Sequence, residues 1–356
     1  MTVKWLAGNR IEGTSADRTT GTPAIPAVSG GWKELARTTL GSAGDTITVS
    51  SLPTKRYYMI LQNILDGGGG SNTTWNRLNN DSGSNYARRI ANNGGADGTS
   101  TSATEMRIDA WGGGTDKFFV TYLANKSDKE KLMLGEMVDA VNLGAGNVPN
   151  RSEYSFKWTN TSNDFSRIDA LNQGSGNYAS GSEVVVLGYD PDDTHTDNFW
   201  EELASVDLSG GAADEVSSGT ITAKKYLWIQ FFGEASGSIQ ETFRFNNDTG
   251  SNYARRMSSD GGSDSTDASV SACSSGSADS TNHFYNLFII NNSSNEKLII
   301  GHQIRAGSAG AGNAPNRREY VYKWANTSSQ ITEIDVGNNS TGDFGTNSFL
   351  KVWGAD

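Results

Sequence analysis

The chain carries nearly the same phrase twice, and this duplication constrains its fold more than any other feature. "RLNNDSGSNYARR" at residues 77–89 returns as "RFNNDTGSNYARR" at residues 244–256. "WKELA" at Trp32 matches "WEELA" at Trp200, an offset of 168, and "GNVPNR" at Gly146 matches "GNAPNR" at Gly312, an offset of 166. Solenoid repeats are only about 20–50 residues long, so each copy is expected to fold as a domain of its own.

The near-constant offset also predicts where these domains begin and end. We expect an extended N-terminal arm at residues 1–31, a first repeat at 32–190, a linker at 191–198 and a second repeat at 199–356. The stretch "DPDDTHTDN" between the copies is acidic, contains proline and has no apolar residue, which is typical of an exposed linker. The 356 residues suffice for two domains of about 100–200 residues each.

Within each copy the apolar residues alternate with polar ones. Tyr154, Phe156 and Trp158 share one face of a predicted strand, and Tyr320, Tyr322 and Trp324 repeat the pattern. Only "WKELA" and "WEELA" favour a helix, and both could instead open a strand. Many short strands separated by Gly, Asn, Asp and Ser predict an all-β protein of two tandem antiparallel β-sandwiches, with jelly-roll-like topology.

The first duplicated phrase admits three interpretations. It could be a turn closed by Asx side chains with its tyrosine packed inward, a Ca²⁺ site, or a surface that binds a partner or a glycan. One aspartate per turn supplies little charge for Ca²⁺, and we expect no other cofactor and no metal site. The candidate residues are Asn80, Asp81, Asn85, Tyr86, Arg88 and Arg89, and their second copies Asn247, Asp248, Asn252, Tyr253, Arg255 and Arg256.

Adjacent arginines in an extended segment point to opposite faces, so one of each pair should make a buried or semi-buried contact with a carboxylate and the other should be free for a partner. A second duplicated loop, "GAGNVPNR" and "GAGNAPNR", combines glycine, asparagine and proline as a fixed turn entering a strand. Its candidate residues are Asn147 and Arg151 in the first copy and Asn313 and Arg317 in the second. Loops usually vary in sequence, so the near-identity of these two loops between the copies indicates that each has a structural or functional role.

No catalytic motif is recognisable. None of the three histidines is shared by the two copies, and the single cysteine, Cys273, has no candidate base beside it in the sequence. We therefore predict that the protein is not an enzyme. The alternative left open is a glycosidase whose two catalytic carboxylates are distant in sequence and brought together by folding. The net charge of −11 argues against nucleic acid and anionic membranes as partners.

The N-terminus lacks the apolar run of a secretory signal, and no stretch reaches the roughly 18 apolar residues of a membrane span. Its "WLAGNRIEGTSADR" resembles the N-terminal leader of virion proteins of marine tailed phages and related viruses. The two β-rich halves also resemble the decoration and tail proteins of these phages. The resemblance implies a virion protein made in the host cytoplasm without a signal peptide.

From that resemblance we expect a non-enzymatic capsid decoration or tail component. Its partners would be other virion proteins and copies of itself, and Trp5, Leu6 and Ile11 would anchor the arm in the assembly. The alternative is a carbohydrate-binding protein, such as a receptor-recognition component or a lectin, with Tyr86 and Tyr253 as duplicated sugar platforms.

Overall fold

The computed structural model describes residues 31–356 except 110, 112, 192, 194, 196 and 309, together with the backbone of two short strands near the N-terminus. These strands, β1 (Trp5–Leu6) and β2 (Arg10–Ile11), pair antiparallel. The predicted arm, and the side chains of Trp5, Leu6 and Ile11 within it, otherwise lie outside the described residues.

The first half contains twelve strands that form two antiparallel sheets. The larger sheet has the order β3-β14-β5-β10-β11-β12-β7-β8, and the smaller has the order β4-β13-β6-β9. The strands are β3 (Lys33–Thr39), β4 (Thr46–Val49), β5 (Tyr57–Ile64), β6 (Thr74–Leu78), β7 (Tyr86–Asn92), β8 (Gly98–Ala103), β9 (Met106–Arg107), β10 (Lys117–Ala124), β11 (Lys131–Asp139), β12 (Asn150–Trp158), β13 (Ile168–Asn172) and β14 (Glu183–Tyr189).

The second half repeats both sheets strand for strand. Its larger sheet has the order β15-β28-β17-β23-β24-β25-β20-β21, its smaller sheet β16-β26-β19-β22, and β18 pairs with β27. The strands are β15 (Glu201–Asp207), β16 (Glu215–Ser217), β17 (Tyr226–Gly233), β18 (Ala235–Ser236), β19 (Glu241–Phe245), β20 (Tyr253–Ser259), β21 (Ser265–Val270), β22 (Cys273–Ser274), β23 (His283–Ile290), β24 (Lys297–Arg305), β25 (Asn316–Trp324), β26 (Ile334–Asn338), β27 (Asp343–Phe344) and β28 (Phe349–Ala355).

The prediction of an all-β fold with two duplicated antiparallel β-sandwiches is confirmed. Trp158 and Trp324 end the equivalent strands β12 and β25 and are fully buried, each between the two sheets of its own half. Tyr154 and Tyr320 are buried on the same faces. Period-two aromatic patterns therefore located the inner face of both sandwiches correctly. Among the described residues no helix has the length and hydropathy needed to cross a membrane.

The two cores differ in their buried charges. In the first, the Lys117 ammonium lies 2.8 Å from the Asp109 carboxylate, and both side chains are fully buried. In the second, His283 replaces Lys117 at the start of the equivalent strand, and its Nδ1 lies 2.5 Å from Oε1 of Glu241. Thr74 stands where the second half has Glu241, as the first residue of the equivalent strand. The buried cation and its carboxylate partner therefore differ together between the two halves. This is expected because a buried ion without a partner is strongly destabilising.

The two larger sheets pack against each other through their outer faces, so the molecule has four layers in the order small, large, large, small. Strand β11 shows how one strand serves two layers: Met133 and Met137 face the core of the first sandwich, whereas Val138 faces the second half. This alternation is the ordinary consequence of the period-two geometry of a strand.

Candidate interaction surface

The duplicated phrase folds as a turn whose aspartate is held by the protein itself. Asn79 and Asn80 have φ of 49° and 54°, a conformation that asparagine tolerates better than most residues. The Asp81 carboxylate accepts hydrogen bonds from the Gly83 N–H, Asn85 Nδ2 and Trp158 Nε1, the last at 2.7 Å. The same bonds recur at Asp248, with Gly250, Asn252 and Trp324 as donors. The phrase therefore ties a surface turn to the buried tryptophan.

The surroundings of Asp81 also bear on the Ca²⁺ interpretation. Burial alone would raise the pKa of this carboxyl, but the hydrogen bonds from Trp158, Asn85 and the Gly83 backbone lower it. These donors occupy the carboxylate oxygens that a cation would use. Within the described ranges, no cluster of three or more His, Cys, Asp or Glu side chains is arranged to hold a metal ion.

Tyr86 and Tyr253 are buried, which corrects their assignment as sugar platforms. The Tyr86 hydroxyl donates to the Leu78 and Asp81 carbonyls and accepts from the Leu78 N–H at 3.0 Å. Tyr253 likewise accepts from the Phe245 N–H and donates to the Asp248 carbonyl. Both rings pack in the sandwich cores, so neither offers a face to a ligand.

The paired arginines alternate between the two faces of their strands, as expected from strand geometry. Arg88 points inward but donates to the Arg107 carbonyl rather than to the predicted carboxylate, while Arg89 is exposed and pairs with Asp97 at 3.0 Å. Arg255 is buried and pairs with Asp267, whose side chain is 45% exposed, so the ion pair is the semi-buried contact expected for one arginine of the pair. Arg256 is half-buried and donates to the Pro149 carbonyl of the first half, so it is not free for a partner as expected.

The second duplicated loop makes different contacts in the two copies. In the first, Asn147 Nδ2 donates to the Leu143 carbonyl, and the buried guanidinium of Arg151 lies 2.8 Å from the buried Asp264 carboxylate of the second half. In the second, Arg317 is exposed and pairs with Glu319 on its own strand. Asn313 lies in the same exposed loop. One loop is thus part of the interface between the halves and its twin faces solvent.

That interface consists of a docking loop on the first half, residues 140–151, and a receiving face on the second. The Lys323 ammonium donates to the Ala140 and Asn142 carbonyls, and Glu296 accepts from the Gly144 N–H. The Ser269 N–H donates to the Ala145 carbonyl, and Arg256 Nε donates to the Pro149 carbonyl at 2.8 Å. The apolar part of the receiving face comprises Trp200, Tyr226, Phe288, Ile290, Leu298, Ile300, Val321 and Ala355.

A wide apolar groove of about 960 Å³ lies on the outer face of the larger sheet of the first half. Leu132 and Leu134 are 58% and 60% exposed on its floor, and its aromatic wall includes Trp32, whose ring centroid lies 5.9 Å from that of Tyr189. An exposed apolar groove is a candidate binding site. The groove is lined by Trp32, Tyr57, Tyr122, Ala124, Leu132, Leu134, Ser155 and Tyr189, among others.

A second cleft, of about 570 Å³, separates the two halves beside the groove. In it His302 Nε2 lies 2.6 Å from Glu136 Oε1, and Glu153 and Glu319 stand on the flanking strands. The Glu136 carboxylate, helped by Glu319 and Glu153, raises the pKa of His302 from 6.5 to about 9. The imidazolium therefore links the halves at neutral pH.

This geometry predicts a pH dependence. A group whose pKa is higher folded than unfolded stabilises the fold fully below its unfolded value and loses that contribution as pH rises through the folded value. We expect the melting temperature of the wild type to fall between about pH 6.5 and pH 9, and His302→Gln to flatten this part of the profile. Differential scanning calorimetry across that range tests it. Parallel profiles for the two proteins would contradict the assignment.

Sequence reasoning missed the groove residues and the Glu136–His302 pair. In the sequence Leu132 and Leu134 have the pattern of ordinary strand residues. Their exposure depends on the position of the second half, which the sequence does not show. A signal was available in the aligned copies, because Glu136 and His302 occupy the same repeat position with opposite charge.

The comparisons with known proteins give no family. No family model and no curated protein matches the chain. Solved structures that align include domains LG4-5 of the mouse laminin alpha1 chain, with 10% identity over 93% of this chain and 92% of that one, at a TM-score of 0.18. Infectious bursal disease virus, Gt strain, aligns with 11% identity over 96% and 86%, at a TM-score of 0.12. Scores this low support no statement about function.

Proposed function

We propose that this chain is a non-enzymatic structural protein of a virus particle, a capsid decoration or tail component, that assembles through the outer faces of its β-sandwiches. The observation that carries the proposal is the apolar groove, which brings the exposed Leu132, Leu134 and Tyr57 together on one face of an acidic chain. A surface of this kind is suited to burial against another protein. The virion is proposed from the resemblance of residues 5–18 to phage leaders.

A carbohydrate-binding function is the second candidate, with the groove rather than Tyr86 as the proposed binding site. Trp32, Tyr57, Tyr122 and Tyr189 present aromatic rings there, and Tyr57 and Tyr189 stack with centroids 6.3 Å apart. Aromatic faces beside polar groups are suited to sugar rings. The groove floor favours the first candidate, because Leu132 and Leu134 offer no hydrogen bond to a sugar hydroxyl.

The proposed function is tested by mass spectrometry of purified virus particles from the culture that carries the gene. We expect the chain to be present at a fixed ratio to the major capsid protein and to be lost from particles when residues 1–31 are deleted. Its absence from washed particles would reject the virion assignment. A glycan array with the full chain tests the alternative, with the double variant Trp32→Ala and Tyr57→Ala as the control for binding in the groove.

A further inference from the structure

The apolar groove of the first half is open, whereas the equivalent surface of the second half is covered. Leu132 is 58% exposed on the groove floor, but Leu298, at the same repeat position, is buried to 1% against the first half. The halves meet as a pair in which Glu136 and His302, again at one repeat position, contact each other. That contact leaves Leu132 and Leu134 without a cover.

The groove crosses the whole of the larger sheet. Its lining includes residues of, or next to, every strand in the order β3-β14-β5-β10-β11-β12-β7-β8, from Trp32 at one end to Thr99 and Thr101 at the other. Neighbouring strands lie about 4.8 Å apart, so the groove is about 34 Å long. A polyproline II segment rises about 3.1 Å per residue, so about 11 residues would span this length.

The chain enters the first sandwich at one end of the groove. The continuous described chain begins at Gly31, whose carbonyl accepts from His195 Nε2 at 3.1 Å, and the Phe199 N–H donates to the Trp32 carbonyl at 2.7 Å. The Trp32 ring packs against Tyr189 in the groove wall. The preceding residues are therefore tethered beside the groove, where a short linker gives an effective concentration of millimolar order.

The segment next to this entry point matches the groove in charge. Residues 19–31 have the sequence "TTGTPAIPAVSGG" and carry no charged side chain. The charged groups beside the groove floor have partners in the first half, Arg89 in Asp97 and Lys157 in Glu130. An uncharged segment can therefore cover the groove without leaving a buried ion unpaired.

The segment also has the pattern that aromatic-lined grooves recognise. Pro23 and Pro26 form a Pro-x-x-Pro motif, which favours polyproline II and docks against aromatic side chains with little loss of entropy. Three residues per turn place Ile25 and Val28 on one side of such a segment. The aromatic side chains of the groove are Trp32, Tyr57, Tyr122 and Tyr189.

The distances along the groove agree with this pairing. At about 3.1 Å per residue from Trp32, Val28 lies about 12 Å along the groove, close to Tyr122 on the fourth strand. Ile25 lies about 22 Å along, close to Leu134 on the fifth strand. The apolar side of the segment thus meets the aromatic wall and then the leucine floor.

Resting on the proposed assembly function, we infer that residues 21–30 bind in the groove of their own chain and cover it until a neighbouring virion protein displaces them. The segment then regulates the surface used for assembly, because the free chain keeps Leu132 and Leu134 out of water. It also directs the leader, residues 1–20, to β8, the last strand of the sheet.

The experiment measures how fast a maleimide labels a thiol placed in the groove of the full chain. Ser155→Cys supplies the thiol and keeps the leucine floor intact, since Ser155 is an exposed groove residue. A contact with a dissociation constant of about 0.1 mM, at millimolar effective concentration, is about nine-tenths closed. Adding Ile25→Asp and Val28→Asp to the segment should therefore speed labelling about tenfold.

The control for this measurement is Ser42→Cys, an exposed serine of the same half outside the groove. Its labelling rate should be the same with and without the segment substitutions. The native Cys273 does not compete, because it is buried and burial raises the pKa of its thiol well above the ordinary value.

Sedimentation velocity of the same samples identifies which chain supplies the segment. Protection of Ser155→Cys that persists on dilution of a monomer supports the inference. Equal labelling rates with and without the segment substitutions overturn it, and so does protection that disappears as oligomers dissociate, which assigns the segment to a second copy. Purified chain suffices, so failure here leaves the particle test untouched. Absence from particles with protection intact rejects the virion assignment alone.

Discussion

Replacing Lys323 with alanine is expected to lower the free energy of unfolding by about 3–5 kcal/mol. The ammonium is fully buried, donates to the Ala140 and Asn142 carbonyls at 3.0 and 2.7 Å, and lies 3.4 Å from the Glu296 carboxylate. Its removal leaves a buried carboxylate without its cation and two carbonyls without a donor. Urea unfolding at low protein concentration, followed by tryptophan fluorescence, measures the loss.

The chain supplies its own control in Lys157, which occupies the same repeat position and pairs with Glu130 at 3.1 Å. Both partners are more than 40% exposed, so Lys157→Ala should cost no more than about 1 kcal/mol. Similar losses for the two variants would show that the contact between the halves adds nothing to stability.

Trp158→Ala is expected to cost a similar amount, about 3–5 kcal/mol, because it empties a fully buried site between the sheets and releases the Asp81 turn. Trp158→Phe separates the two contributions. It keeps most of the packing and removes the Nε1 donor to Asp81, for which about 1–3 kcal/mol is expected.

The exposed Leu143 gives the reference, since Leu143→Ala should lie within about 0.5 kcal/mol of the wild type. Chemical denaturation of the three variants under one condition makes the comparison. If Trp158→Phe is as damaging as Trp158→Ala, the turn and not the packing holds this edge of the sandwich.

The fold was largely predictable because the physical signals for it are local or repeated. Alternating aromatics around Trp158 and Trp324 locate the strands, and the near-constant offset shows that one fold occurs twice. "WKELA" misled only in part: its helix-favouring letters lie in edge strand β3, where pairing with β14 and the irregular register near Leu187 decide the conformation. Tertiary pairing overrides weak local propensity.

The site was less predictable because it depends on distant contacts. Tyr86 was interpreted as a surface residue since its neighbours in sequence are polar, yet its hydroxyl reaches back to Leu78 and its ring enters the core. Leu132 and Leu298 are the same residue in the same pattern, and only the position of the other half makes one exposed and the other buried.

The paired exchange of buried charges has a genetic consequence. Recombination between the duplicated phrases would delete one repeat and join residues 1–89 to residues 257–356, a hybrid with Thr74 in one strand and His283 in another. His283 would then lose the fully buried carboxylate of Glu241 and keep only the partly exposed carboxylate of Asp279. The deletion product is therefore expected to be less stable than the intact second half, which disfavours the loss of one copy.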